Sequence, residues 1–585
     1  MRRRRLFLRR SEHFSYRRAW APVLGPGPTR VFGDDPHTAV GRGRIGVVNG
    51  VLVLLVIIAA IAVTSFAKRR DLQAPLVLVT IGSVASFIPG MPRLELDPDA
   101  ILGVVLPPLL YSAALKFSVA TFRRHLAPIL RLGIFTVLAT AIGVAFFANW
   151  LVPEFTLGAA LVLGAVVAPT DAVSAVAVGR RLGLPNRVIA ILTGEGLVND
   201  ATALTLFTVA VSAVVGAEIP VHPVVFFGYE VVGGVLIGLV LAKIVEWVRH
   251  RMYDSPLETV LGLMLPFAAY LAAEEVHASG VLSVVAAGFL MGHKATDASV
   301  ATRIQERSLW ESVDLLLEMF VFAYMGLQLK FVIDDVRDQG LPVHHVFFYG
   351  FAVLAVVMAI RPAWILLHWL RRRVGLAIEA PGGSVELGWR ESLVVSWAGM
   401  RGVVTLAAAS GVPVVIASGQ PFPGREVIQA IAFVVAVGTL LIQGATMPLL
   451  IRKLDLADPG EREREEEQVK LARAISRDAG ERALVDFTEH PPEGIDRADL
   501  TDILERVRRS MRARLQAEEA EDAAEKQRAG ALFDHYRRAA LRAQREAIIA
   551  ARDAGTLDDE VMRSVLEGLD VEEAAAEERV RRRRE

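Results

Sequence analysis

The 585-residue chain contains no cysteine. That excludes disulfides, thiolate metal sites and cysteine nucleophiles, and leaves the redox compartment open. None of the 12 histidines falls in zinc-ligand spacing. His277 and His368 read as interfacial or core residues. No GxxxxGK[ST] phosphate loop occurs, which argues against an ATP-driven pump. No cofactor motif appears either. Net charge is missing too: 64 Lys and Arg balance 64 Asp and Glu, so nothing points to a nucleic-acid partner. Long stretches carry no charge at all. With 53% hydrophobic residues and a mean hydropathy of +0.42, the chain reads as an all-α polytopic membrane protein with a soluble tail.

Apolar segments of about 20 residues, enough to cross a bilayer, recur along the middle of the chain. We place them at 45–67, 74–91, 99–117, 126–151, 156–178, 187–214, 223–247, 257–274, 278–293, 311–331, 344–370, 388–412 and 425–451, about thirteen helices in all. Three parts follow: a basic, irregular segment at 1–42, a transmembrane unit at 43–453, and a charged helical tail at 454–585. The first segment has neither the apolar stretch nor the cleavage site of a signal peptide.

Alternate gaps between spans are basic: Lys68-Arg69-Arg70, Arg123-Arg124, Arg180-Arg181 with Arg187, Arg249 with Arg251, Lys294 with Arg303 and Arg307, and Arg371-Arg372-Arg373. The gaps between them are short or acidic. The positive-inside rule puts the basic set, and with it the tail, in the cytoplasm of a cell that carries the protein in its plasma membrane. Thirteen spans then leave the eight Arg of the first eighteen residues outside, so either one span is miscounted or translation starts downstream, and we expect the second. The closing RVRRRRE could touch anionic lipid headgroups.

Ionisable residues inside spans are costly and so are candidates for function. Asp171 lies in GAVVAPTDAVSAVAV and Asp200 in LTGEGLVNDATALTLF. Asp171 is nine residues, or about 13 Å of helix, from Arg180. Asp200 is thirteen residues, or about 20 Å, from Arg187. Both come near the midplane from the same face and can meet. The plainer alternative for each is a buried, hydrogen-bonded Asp. Pro169 removes a backbone donor before Thr170 and Asp171 and disrupts that helix. Freed carbonyls beside carboxylates and hydroxyls suit a hard cation, as in secondary-transporter ion sites. A simple proline kink is the competing reading.

Glu195 and Asn199 share a helix face four residues apart. Glu195 needs a partner, either Arg401 in SWAGMRGVVTLAAA or Arg361 in MAIRPAWILL. Arg401 is the first choice, because Arg361 could simply mark a span interrupted by Pro362. Gly399 and Gly402 make the Arg401 span a second broken helix. The pair 156–178 and 187–214 then matches 388–412 and 425–451 as an inverted repeat with crossed broken helices. Asp314 and Glu318 share one face and read mainly as packing toward the bundle interior. Lys243 and Glu246 lie near a span end, where they can snorkel.

These motifs resemble a known family. PTDAVSAVAV, GEGLVNDATALTLF, FVFAYMGLQL and WAGMRGVVTLA, with LPPLLYSAAL upstream, are similar to the monovalent cation:proton antiporters of the sodium/proton-exchanger type. The similarity covers about residues 45–455, and REAIIAARDAGTLDDEVMRSVLEGLDVEE resembles the cytoplasmic ends of bacterial members. The resemblance implies a core and a dimerisation domain, usually in a homodimer, with Asp200 as the central ion- and proton-carrying carboxylate. It implies that Asp171 and Thr170 help coordinate Na⁺ or K⁺, that Asn199 stabilises the site, and that Glu195 pairs with Arg401 or Arg361. The Asn199-Asp200 pair marks the branch associated with electroneutral exchange.

Three positions depart from the family pattern: Gly196 stands where Ser is common, Ser112 where Glu is common, and Ala172 where Pro is common. Two of these remove potential ligands and leave Na⁺, K⁺ and Li⁺ open. The expected mechanism is competition of cation and proton for Asp200, because only a neutralised carboxylate crosses the barrier cheaply. A cation channel or a proton-coupled symporter is the alternative. A paired-aspartate intramembrane protease would need a Gly-x-Gly-Asp motif, which GLVND is not, so no enzymatic activity is expected.

Overall fold

The computed structural model describes residues 36–91, 93–94, 101–216, 223–252, 254–373, 387–456, 459–489 and 523–584. Residues 1–35 of the basic N-terminal segment and 490–522 of the tail lie outside them. The described chain is almost wholly helical, with one isolated β-bridge between Val415 and Pro421. Helices are what a bilayer demands, since each satisfies its backbone hydrogen bonds internally.

In chain order the membrane part runs α1 (Pro36–Arg69), α2 (Ala74–Ala85), α3 (Ile101–Lys116), α4 (Val119–Arg124), α5 (Leu126–Leu151), α6 (Leu157–Val167), α7 (Ala172–Arg181), α8 (Asn186–Val215), α9 (Pro223–Arg249) and α10 (Ser255–Glu275). It continues with α11 (Gly280–His293), α12 (Val300–Leu327), α13 (Leu329–Asp338), α14 (Val343–Arg373), α15 (Trp389–Trp397), α16 (Val403–Ser410) and α17 (Arg425–Leu454). The tail holds α18 (Pro459–Glu489), α19 (Ala523–Asp553) and α20 (Asp559–Arg584).

Among the described residues, nine helical stretches are long and apolar enough to cross a membrane, and they cover nine of the thirteen expected spans. Of the other four expected spans, α2, α3 and α11 are shorter apolar helices. The last, 388–412, is divided between α15 and α16. The second span, expected to reach residue 91, ends at Ala85. Pro89 disfavours helix at Ile88, and Gly90 follows at φ +83°, a turn conformation that glycine adopts freely.

Two of the large apolar clusters frame the middle of the bundle. One joins α5, α6, α8, α14, α16 and α17 around Leu163, Ile428 and Val435. The other joins α3, α8, α9, α10, α11 and α12 around Ala114, Ala269 and Trp310. Helix α8 contributes to both, so its middle lies at their boundary. The tail buries its own small cluster, with Ala472 of α18, Ile548 of α19 and Met562 of α20.

Candidate ion site

Two helices are broken inside the bundle, and the breaks touch. The first separates α6 from α7 at Ala168–Asp171, where Pro169 cannot donate to the helical ladder. The second separates α15 from α16 at Ala398–Gly402. The Asp171 backbone N–H donates to Met400 O at 2.7 Å. Gly402 lies so close to Asp171 that a Cβ there would fall 2.9 Å from the Asp171 Cβ. A Cβ on Gly399 would fall 2.8 Å from Arg361 Cδ. The two glycines are what let the strands of the crossing approach.

Each break leaves helix-end carbonyls that need partners outside the helical ladder. Two buried arginines take them up. Arg401 Nε donates to Val167 O, the end of α6, at 3.0 Å, and Nη1 donates to Gly399 O. The Arg401 backbone N–H donates to Thr439 Oγ1 on α17 at 2.9 Å. Arg361 Nε donates to Val395 O of α15 at 3.0 Å.

The partner of Glu195 is Arg361, not the first-choice Arg401. Arg361 Nη2 donates to Glu195 Oε2 at 2.7 Å, and Nη1 engages Oε1. Both residues are 2% exposed. Arg401 is within electrostatic reach of Glu195, but its own donors face Val167 O and Gly399 O. Pro362 does not interrupt α14, which runs unbroken to Arg373.

From this pair a polar chain leads inward. Thr170 Oγ1 donates to Glu195 Oε1 at 3.1 Å. Asn199 Nδ2 donates to Thr170 O at 2.8 Å and to Thr170 Oγ1 at 2.7 Å. Asn199 Oδ1 is buried without a hydrogen-bond partner among the described residues. Asp171 caps α7: Oδ1 accepts from Val173 N at 2.9 Å and Oδ2 from Ser174 Oγ at 3.2 Å. A carboxylate at a helix N-terminus is favoured by the helix dipole.

Asp200 stands apart. It sits midway along α8, is 8% exposed, and accepts no hydrogen bond from any described residue. Asp171 is within electrostatic reach of it. The crossing thus brings Asp171, Thr170, Glu195, Asn199, Arg361 and Arg401 together beside one carboxylate without a donor.

The three departures also find their places. A Cβ on Gly196 would lie 2.8 Å from the Ala172 Cβ, so two of the unusual residues pack against each other. The third, Ser112 on α3, donates to Asp314 Oδ2 on α12 at 2.6 Å. Lys116 Nζ reaches the same oxygen at 2.6 Å. Glu318, one turn further along α12, is within electrostatic reach of Asp171, Asp314 and Lys68. Lys243 and Glu246 pair at 2.7 Å on α9.

Sequence reasoning missed a tie between α8 and α15, where Arg187 Nε donates to buried Glu391 Oε1 at 2.6 Å. Its one visible signal is the charge of Glu391 just inside an apolar segment. Thr439 gives no such signal.

A crossing of two broken helices around a lone carboxylate, in an all-helical bundle with apolar spans, defines an ion-transporter class. The family model for the transmembrane sodium/hydrogen exchanger matches residues 53–453, and the chain belongs to that family. It is 33% identical over 541 residues to an uncharacterized Na(+)/H(+) exchanger of Mycobacterium tuberculosis, covering 91% of this chain and 97% of that one. It is 30% identical over 413 residues to a sodium, potassium, lithium and rubidium/H(+) antiporter of Bacillus subtilis, covering 68% of this chain and 61% of the relative. The fold is similar to that of the sodium proton antiporter MjNhaP1 from Methanocaldococcus jannaschii. The TM-score is 0.56 at 19% identity, over 70% of this chain and 99% of that one.

Proposed function

We propose that the protein exchanges a monovalent cation for a proton, one for one, at Asp200. The observation that carries this is the state of its neighbours: every other ionisable group at the crossing has a partner, and Asp200 has none among the described residues. Two guanidinium groups, Arg361 and Arg401, face three carboxylates, Glu195, Asp171 and Asp200. Asp171 accepts from two donors, as an ionised carboxylate does. The cluster therefore carries one negative charge when Asp200 is ionised. One proton or one Na⁺, K⁺ or Li⁺ neutralises it equally well. A neutral cluster can move past apolar surroundings, whereas a charged one pays a large desolvation penalty. Both limbs of the cycle then carry the same charge, and exchange is electroneutral.

In this reading Asp171 and Thr170 supply further oxygen for the cation, Asn199 fixes Thr170, and the Glu195–Arg361 pair and Arg401 hold the breaks open. Residues 43–453 form the transporting unit and 454–585 the tail. In the same reading the tail is cytoplasmic, which the basic gaps support, and the bundle lies in the plasma membrane. The family resemblance supports a homodimer.

Everted vesicles from an antiporter-deficient host test the proposal. Respiration acidifies the lumen, an acridine dye reports the gradient, and Na⁺, K⁺, Li⁺ or choline salts are added between about pH 6 and 9, on both sides of the ordinary histidine value. Dye recovery with an alkali ion, absent in Asp200→Asn, is the expected result. No recovery with any ion, from verified inserted protein, would overturn it in favour of a channel or symporter.

A further inference from the structure

Glu230 is a further carboxylate inside an apolar span. It lies on α9, seven residues, or about 10 Å of helix, from the end at Pro223. Charge at that depth is costly and marks a candidate for function. Glu230 heads a stripe with Gly234 and Gly238, at helical spacing, that packs on the start of α11. A Cβ on Gly234 would fall 2.5 Å from Ser279 O, and one on Gly238 would collide with Ser283 O. The Glu230 carbonyl accepts from Ser279 N at 3.1 Å. Tyr229 Oη donates to Val276 O at 2.7 Å. These contacts fix α9 to the turn between α10 and α11.

The Glu230 side chain reaches across to α8. Thr205 of α8, 8% exposed, hydrogen-bonds its carboxylate. Thr205 is five residues, or about 7.5 Å of helix, beyond Asp200 on the way to the outer end at Val215. Glu230 therefore stands between Asp200 and the outer surface. Its Oε2 is buried without a hydrogen-bond partner among the described residues. Glu274, at the end of α10, is within electrostatic reach, and its own Oε1 accepts from Gly280 N at 3.3 Å.

A buried carboxylate ordinarily collects donors on both oxygens. Here one oxygen is bare, and a second carboxylate repels the charge. A cation answers both conditions, because it binds the bare oxygen and screens the two negative charges from each other. The Thr205 hydroxyl offers it further oxygen. A cation leaving Asp200 outward has fifteen residues, or about 22 Å, of α8 to pass. A carboxylate on that path offsets the cost of carrying the ion through apolar surroundings.

We propose that Glu230 is a second ion-binding carboxylate, the outer stop for the cation between Asp200 and the outside, with Thr205 as its neighbouring hydroxyl ligand. The inference rests on the antiport reading above and on the orientation that the basic gaps support.

Two vesicle preparations from one host separate the faces. Right-side-out vesicles offer radioactive Na⁺ to the outer face, and everted vesicles offer it to the cytoplasmic face. Initial uptake is measured at one pH for wild type, Glu230→Gln and Glu230→Asp. Glu230→Gln should raise the half-saturating Na⁺ concentration at the outer face about fivefold or more, the weight of one unit charge at 4 Å even at the dielectric of water. At the cytoplasmic face it should match wild type. Glu230→Asp keeps the charge and should fall nearer wild type. A purely structural role would reverse that order, because Gln keeps the shape of Glu. An outer value that is unchanged, a rise at the cytoplasmic face, or a larger rise with Asp than with Gln overturns the proposal. Thr205→Val serves if Glu230→Gln does not insert: a rise at the outer face alone supports the proposal, and equal behaviour at both faces overturns it. Wild type that takes up Na⁺ from neither face overturns the antiport reading itself, whereas wild type that exchanges beside an indistinguishable Glu230→Gln overturns only the outer stop.

Discussion

Replacing Arg361 by methionine removes the donor to three acceptors: both Glu195 oxygens and Val395 O. Glu195 is then a buried carboxylate without its counter-charge. Stranding one member of a buried pair costs about 3–5 kcal/mol. The orphaned Val395 carbonyl accounts for about 1–3 kcal/mol of loss by itself. Glu195→Gln with Arg361→Met removes the charge as well and leaves chiefly the carbonyl penalty. The double variant should therefore be more stable than Arg361→Met alone, by about 2–3 kcal/mol of coupling. Unfolding by SDS titration in mixed micelles measures this directly, with wild type most stable and Arg361→Met least. A double variant as unstable as the sum of the single changes would refute the pairing. So would an Arg361→Met protein as stable as wild type.

Other outcomes follow from the same crossing. Arg401→Lys leaves a single ammonium where a fork spans Val167 O and Gly399 O; each orphaned carbonyl should cost about 1–3 kcal/mol in the same titration. Gly196→Ser drives a Cβ into Ala172 and should cost about 1–3 kcal/mol, with the melting temperature recovered by adding Ala172→Gly. Ser112→Glu sets a second carboxylate against Asp314; repulsion of up to about 4 kcal/mol at 4 Å, partly offset by Lys116, should lower the yield of folded protein, and Ser112→Glu with Asp314→Ser should restore it.

Much of this was legible in the sequence, for a physical reason. The spans, the breaks at Pro169 and at Gly399–Gly402, and the lone acids inside apolar runs are local signals that a bilayer makes stringent. Partner choice is not local. Arg401 and Arg361 are equally basic and equally apolar in surroundings, and only the crossing shows that Arg401 is committed to helix-end carbonyls while Arg361 reaches Glu195. Flanking glycines drew attention to Arg401, yet their role is to admit Arg361 and Asp171 at close range. Ser112 read as a lost ligand, because its neighbour Asp314 is 202 residues away. The Asp570–Arg303 contact spans 267 residues and left no pattern in either segment. The short helices α2 and α11 show the opposite limit: their ends depend on turns at Pro89-Gly90 and on the Ser279 cap, details that hydropathy does not report.

Competition at Asp200 is tested most directly by initial rates of radioactive Na⁺ uptake into Na⁺-loaded proteoliposomes, with equal pH on both sides. Across the titrating range, each unit of acidification should raise the half-saturating Na⁺ concentration about tenfold with the maximal rate unchanged, and Asp200→Asn should take up none. A half-saturating concentration independent of pH, or uptake that persists in Asp200→Asn, would contradict a single carboxylate shared by cation and proton.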